Sequence, residues 1–558
     1  MILNVEDFKV AIWRRMRCQK QKSAASGEAL ISYAIKQFTR SALNAPEKFK
    51  FNDTHDVQNK MENASRFLRE LRWQLAIFLI ALGLRVLLAL SLECDWYGDS
   101  YHHWLISELT LLNGFHYSDF KPMPNMSIVW LPLYHYLTAF LIWTTGIHGL
   151  TIPHSINIIL GSLSCILAYE IAGKIFASRW IGVVSGLILA FQPWYIGINV
   201  LGLTETASSF FILASLLFYV KGKTYGCAIF SALGMLTRYE NWIFSAILFS
   251  LYVYDRKRLG FRSIAVYVIG VSSAAGLWCY WSLINTGGPL TWLHLEAEAT
   301  RWCVELTVGL KREYWHLLHY FFTLTRMTCG LSVLAAAMAL KNGVESRKLL
   351  FIAMSLFTII SVQYYFGMNL GEERFAVNII PFVAILCSPT LSKIKSAGAK
   401  LKFNSNVILV LGLTSLTIVP MISQIWTFNA NTYSIHHEMR AGAWLKQNYA
   451  YGTLICDSPA VIYYSGLNIK LFASSESLTW YGESRNETGL YEWFRAHNVQ
   501  YLVWEEVPHS ATWRIFPELS DAQTHKLGLL TFKIAYVDVG WEHDFGVPNI
   551  YIFEIAYA

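Results

Sequence analysis

Long apolar runs constrain this chain more than any other feature. Runs near the length a helix needs to cross a bilayer, about 20 residues, read at 74–92, 153–173, 180–198, 205–221, 225–237, 241–254, 263–284, 315–340, 348–367, 375–391 and 404–425. The chain has 558 residues, of which 54% are hydrophobic and 15% charged. A soluble domain is about one-quarter charged, so the composition excludes an ordinary water-exposed globule and excludes disorder. A polytopic α-helical membrane domain with one soluble appendage is the expected fold class.

Charge fixes the expected sidedness. Basic residues gather at Lys174 with Arg179, at Lys221 with Lys223, at Arg256, Lys257, Arg258 and Arg262, at Arg347 with Lys348, and at Lys393, Lys395, Lys400 and Lys402. These clusters fall at every second loop, which the positive-inside rule assigns to the cytoplasm. The first apolar run follows a polar segment carrying Arg14, Arg15, Arg17, Lys20 and Lys22, with no cleavable signal sequence. The amino terminus is therefore expected inside, and the stretch 93–152 must begin and end outside. The apolar piece at 128–146 then reads as a juxtamembrane or shallow re-entrant helix. Eleven spans result.

Three regions follow: a cytoplasmic amphipathic segment over 1–73, a membrane domain over 74–428 with exterior loops at 93–152 and 285–314, and an exterior domain over 429–558. In the last, strand-like runs TLICD (453–457), YLVWEE (501–506) and NIYIFEI (549–555) alternate with amphipathic stretches at 437–449 and 488–497, the pattern of a small α/β domain. The net charge of +7 is scattered between apolar runs, so no nucleic-acid surface is expected. Nine cysteines without a CxxC pair indicate neither a zinc site nor a disulfide framework; only Cys94 and Cys303 are placed to meet outside. Glycosylation acceptor triplets with exterior placement start at Asn125 and Asn486.

Several polar segments share the exterior side: ECDWYGDSYHHW with Asp95, Asp99, His102 and His103; LGLTET with Glu205; LTRYEN with Arg238 and Glu240; the 285–314 loop with Glu296, Glu298 and Arg301; and GEERF with Glu372, Glu373 and Arg374. Carboxylates and arginines at the outer ends of different helices are costly beside lipid, and so point to function. Arg85 lies inside the first span, where a charge requires a partner or a wet cavity; a structural pair is the expectation. Glu170 and Lys174, four residues apart, are expected to pair.

The order of these motifs resembles the GT-C superfamily of membrane glycosyltransferases, which includes protein O-mannosyltransferases, aminoarabinose transferases and oligosaccharyltransferase catalytic subunits. The resemblance covers roughly residues 74–392 and rests on GDSYHHW, WLPLYHYL, LTET, LTRYEN, the long loop after the seventh span and ERFAVNIIP. It implies a GT-C fold and inverting transfer of a hexosyl or pentosyl group. The donor would be a polyprenyl-phosphate sugar, dolichol phosphate included, and the acceptor a protein or lipid-linked glycan hydroxyl outside. Membrane lipids are the remaining partners. Asp99 matches the family's first-loop acid and is the expected catalytic base. Arg374 matches the arginine of an ERY-like motif and is expected on the donor phosphate, with Arg238 second. Glu205, Glu296, His103 and Asp95 are expected to contact substrate. The resemblance fixes no cofactor, and Asp99 and His103 are the candidate ligands for a divalent metal.

Two departures matter. Ser100 follows the acid where many relatives carry a second one, so a two-acid site would recruit Asp95 or Glu205. TWYGE at 479–483 only faintly echoes a WWDYG acceptor motif, which disfavours oligosaccharyltransferase activity. The alternatives are a transporter or flippase and a non-catalytic glycan-assembly subunit. The chain shows no internal repeat of the kind transporters carry. A shared cavity with Asp99 and Arg374 about 6–10 Å apart is expected of a transferase.

Overall fold

A computed structural model describes residues 54–118, 130–307, 313–400, 435–506, 511–521, 523–539 and 549–558. The expected span at 404–425, the acceptor triplet at Asn125 and residues 1–53 lie outside the described residues. The chain divides into 1–72 and 73–558. Within 1–72 the described part is helical.

Helices occupy the expected spans as far as 391. They are α1 (Thr54–Ser91), α2 (Gly98–Leu112), α3 (Leu133–Thr145), α4 (Thr151–Ile175), α5 (Arg179–Ala190), α6 (Pro193–Val200), α7 (Glu205–Val220) and α8 (Thr224–Met235). Then come α9 (Glu240–Tyr254), α10 (Phe261–Thr286), α11 (Thr291–Thr307), α12 (His319–Met327), α13 (Leu331–Lys341), α14 (Val344–Tyr365) and α15 (Ile380–Lys400). Four of them are long and apolar enough to cross a membrane alone, beginning at Leu71, Thr151, Phe261 and Val344. Two bent pairs pass the same test when each is taken together, and among the described residues α7, α8 and α9, at 16, 12 and 15 residues, are shorter than a full crossing.

Both bends have local causes. At the 60° break between α5 and α6, Pro193 lacks an amide hydrogen and keeps Gln192 out of the helical region. The Gln192 side chain then caps the new helix at Tyr195 N (2.7 Å) and donates to Met327 O (2.6 Å). At the 95° break before α13, Cys329 and Gly330 both take positive φ, 51° and 75°. The run at 375–391 is a 3-10 turn over Glu373–Ile379 followed by α15.

Arg85 is fully buried and has the expected structural partner, a neutral amide. Its guanidinium donates to Asn199 Oδ1 at 2.9 and 3.1 Å and to Ala81 O at 3.0 Å. Asn199 in turn donates to Thr206 Oγ1 (3.1 Å). The expected Glu170–Lys174 pair gives way: Glu170 binds Lys221 Nζ at 2.9 Å and Gln74 at 2.6 Å, because its neighbours across the helix interface reach it. At the same end of the bundle Lys348 contacts Asp255 (2.8 Å) and Glu345 (3.0 Å), and Arg258 contacts Asp255 (2.6 Å).

The stretch 128–146 yields α3, which packs against α2 and buries Tyr134, His135, Thr138, Ala139 and Ile142. After it, the carboxy-terminal region folds into a helix over 435–448 and a six-stranded sheet. Its strands are β1 (Thr453–Ile455), β2 (Phe472–Ala473), β3 (Val499–Glu505), β4 (His525–Leu527), β5 (Leu530–Asp538) and β6 (Ile550–Tyr557), in the order β2-β1-β3-β6-β5-β4. β1 pairs in parallel with β2 and β3, and the other contacts are antiparallel. The expected runs supply β1, β3 and β6. The antiparallel partner β5 was not expected, since its solvent-facing half carries mixed residues and a register shift between Ile534 and Tyr536. This domain sits directly on α2. Tyr101 and Trp104 pack against Tyr463 and Tyr464 of the helix Pro459–Ser465, and the Tyr101 and Tyr464 hydroxyls lie 2.7 Å apart.

Candidate functional site

Because helices alternate in direction, the starts of α2, α7 and α9 and the 3-10 turn after α14 fall at one end of the bundle, opposite the Glu170, Asp255 and Lys348 contacts. Two braces set their spacing. Asn157 of α4 donates to Leu201 O (2.5 Å) and Leu203 O (2.7 Å), which shapes the turn that starts α7. Asp95, buried ahead of α2, accepts from the Gly202 amide (3.0 Å) and contacts His154 Nε2 (2.8 Å). Asp95 therefore ties the α1–α2 connection to the α7 turn. It was expected to touch substrate; in the structure its two oxygens are taken by His154 and Gly202.

These braces bring Asp99, Glu205, Arg238, Glu240, Glu372 and Arg374 into one ionic chain. Arg374 Nη1 lies 2.6 Å from Asp99 Oδ2 and 3.7 Å from Glu205 Oε1, and its Nε contacts Glu372. Arg238 Nη1 lies 3.0 Å from Glu205 Oε1 and 2.9 Å from Thr204 Oγ1. Its other nitrogens grip both Glu240 oxygens at 2.7 and 2.9 Å. Tyr97 lies under the Arg374 guanidinium at 5.0 Å, and Phe375 flanks both arginines. Asp99 and Arg374 touch at 2.6 Å, so the expected separation of about 6–10 Å is not found: opposite charges this close form a direct ion pair.

Exposure divides the roles. The Asp99 side chain is 34% exposed and Glu372 28%, whereas Arg374 is 7% and Glu205 1% exposed. Neither Glu205 oxygen has a hydrogen-bond partner of good geometry, so it is held by its two arginine contacts. Burial pushes the Asp99 carboxyl up, but the charge and hydrogen bond of Arg374 outweigh it and hold Asp99 below the usual carboxylate range. Glu372 goes the other way: burial, only partly countered by Arg374 and reinforced by Asp99, raises it. Four carboxylates thus face two guanidiniums. Asp99 is the second residue of α2 and not its cap, since Tyr97 occupies the N-cap position.

The remaining expected residues stand apart. His103 is buried beneath Trp130 and its Nδ1 is 3.0 Å from His135 Nε2. Burial, with His135 beside it, holds it well below the ordinary histidine range, hence neutral at pH 7. With Asp99 on Arg374 and His103 on His135, the donor pair suggested for a metal is not assembled; among the described residues no three His, Cys, Asp or Glu side chains gather as a metal site. The side chains of Glu296 and Cys303 lie outside the described residues. Glu240, Glu372 and Tyr97 were not assigned roles from sequence, although Glu240 and Glu372 each stand two residues from a candidate arginine.

No protein-family model and no curated protein sequence matches the chain. Among solved structures it is similar to ArnT from Cupriavidus metallidurans bound to undecaprenyl phosphate: TM-score 0.52, 11% identity, 88% of this chain and 98% of that one. The apo state of the same protein gives TM-score 0.51 at 10% identity over the same shares. The apo oligosaccharyltransferase of Archaeoglobus fulgidus gives 0.51 at 13% identity, covering 78% of this chain and 69% of that one. The chain therefore shares the overall fold of these structures, the fold that its motif order implied.

Proposed function

We propose that this integral membrane protein is an inverting glycosyltransferase that moves a sugar from a polyprenyl-phosphate carrier to an acceptor hydroxyl. The observation that carries the proposal is the Asp99–Arg374 contact within a chain of buried arginines and carboxylates at the end of the bundle covered by the sheet domain. The undecaprenyl phosphate bound in the ArnT structure agrees with such a donor.

Each residue has a chemical part. The acceptor oxygen forms a bond to the anomeric carbon while the carbon–oxygen bond to phosphate breaks, and the acceptor proton passes to a base. Asp99 is the ionised carboxylate with the most solvent access in the cluster, so it is the base. Glu205, sealed and held between two arginines, orients them. Arg374 grips the leaving phosphate and Arg238 adds charge behind it. The two events are coupled. When a donor phosphate draws Arg374 away, Asp99 loses the charge that depresses its pKa and becomes a stronger base as the acceptor arrives.

The reading extends to topology: residues 74–428 form the catalytic membrane domain and 429–558 an exterior domain that shapes acceptor access, with the amino terminus cytoplasmic. Lys221, Lys223, Arg256, Lys257 and Lys348 at the end opposite the cluster support that orientation. The test is sugar transfer and donor hydrolysis by the purified protein in nanodiscs, with a panel of polyprenyl-phosphate monosaccharides. Turnover with one donor supports the proposal; absence of binding to any polyprenyl phosphate overturns it.

A further inference from the structure

A cavity of about 470 Å³ opens at the opposite end of the bundle between the end of α7, the start of α8 and the start of α10. Lys223 and Arg262 flank it, and Thr224, Tyr225 and Ser263 add hydroxyls. Phe218 and Val266 form an apolar wall on its membrane side. Elsewhere at this end Lys221, Arg258 and Lys348 are neutralised by Glu170, Asp255 and Glu345. Lys223 and Arg262 have no carboxylate partner among the described residues; Arg262 reaches only the Tyr225 hydroxyl, at 3.5 Å.

Their positions in the helices sharpen the imbalance. Lys223 is the N-cap of α8 and Arg262 the second residue of α10, and neither helix has an acidic residue in its first turn or a side-chain cap. Cations at the positive end of a helix dipole are unfavourable, and unpaired first-turn amides add to the same field. Two such ends facing one cavity are stabilised by an anion. The surrounding surface says where the anion comes from: Tyr225, Ile229, Phe261 and Ile269 project outward, 57–82% exposed, as lipid-facing side chains at headgroup depth and below.

We infer that this cavity binds the phosphodiester headgroup of an anionic bilayer phospholipid, with Lys223 and Arg262 on the phosphate and the Phe218–Val266 wall against the acyl chain. The inference is independent of the transferase reading.

The test is native mass spectrometry of the full chain released from detergent, with phosphatidylglycerol or phosphatidylcholine added. Retained phosphatidylglycerol is expected to weaken roughly thirtyfold in the Lys223→Gln/Arg262→Gln variant. Arg262→Lys keeps the charge and should bind within about threefold of wild type, which separates lost contacts from lost folding; Lys257→Gln, a basic residue outside the cavity, should be unchanged. Equal retention by wild type and the double variant overturns the assignment. Displacement of the lipid by millimolar inorganic phosphate also overturns it, since the cavity would then be a free-anion site.

Discussion

Replacing Asp99 by Asn keeps the side-chain volume and removes one negative charge from a cluster in which four carboxylates face two arginines. Two effects follow, in opposite directions. Loss of the base slows transfer by about 100- to 10,000-fold, equivalent to about 3–5 kcal/mol of barrier. Loss of the 2.6 Å contact releases one Arg374 nitrogen, so a donor phosphate no longer competes with a carboxylate for it. Donor affinity should therefore hold or rise while kcat collapses. The assay is single-turnover transfer in nanodiscs beside direct titration with unsugared polyprenyl phosphate. A variant that keeps kcat within about threefold of wild type refutes Asp99 as the base, because general-base loss costs at least a hundredfold. A variant that loses donor affinity instead refutes the competition between Asp99 and phosphate. The pH dependence adds a check. Asp99 in the free enzyme is held below its ordinary value of 3.8, so the stabilisation from its ion pair is present at neutral pH and lost only as the solution is acidified through that depressed value. Because kcat/KM reports free-enzyme ionisations, it should show no acid limb from Asp99 above about pH 4.

Other substitutions separate the remaining roles. Arg374→Gln leaves Asp99, Glu205 and Glu372 without their shared cation and should destabilise the protein by about 3–5 kcal/mol, read as a lower melting temperature in detergent. Arg374→Lys keeps the charge without the fork, so folding is retained while donor affinity drops about tenfold. Asn199→Ala removes the side-chain acceptor of Arg85 and should cost about 1–3 kcal/mol for an unsatisfied buried group; Gly161→Ala should act alike, because its methyl would clash with Asn199 Oδ1, and thermal melting checks both. In the sheet domain, burial raises Glu438 to about 7, the Ser458 hydroxyl countering only part of it. A raised carboxyl favours folding below its ordinary 4.5 and loses that contribution as pH rises through 7. Glu438→Gln should flatten this part of a melting-temperature profile between pH 5 and 8.

Much of the architecture was legible because membrane insertion is governed by local composition. Positions of apolar runs, the lone helix within 128–146 and the strands β1, β3 and β6 all follow from patterns a few residues to twenty residues long. The bends at Gln192 and Gly330 were less legible, since proline and glycine permit a break without requiring one. The conflict at Asp95 is instructive: a carboxylate in the same dozen residues as Asp99 looks equivalent on paper, yet one is consumed by Gly202 and His154 and the other meets Arg374. Glu372 escaped assignment for the same reason, because a charge beside an arginine in sequence does not announce whether the two will face one another.

By itself the sequence determined a polytopic helical chain with a carboxy-terminal α/β domain, and it named the segments whose charges are too costly to stand in lipid. Those properties depend on transfer free energies of single segments, which add along the chain. Only the tertiary structure decided which charges meet: that Arg85 rests on an amide, that Glu170 binds Lys221, and that Asp99, Glu205 and Arg374 converge from segments more than a hundred residues apart. An ion pair falls off within a few ångströms of separation and is set by orientation, so it belongs to the packed bundle and not to any one helix.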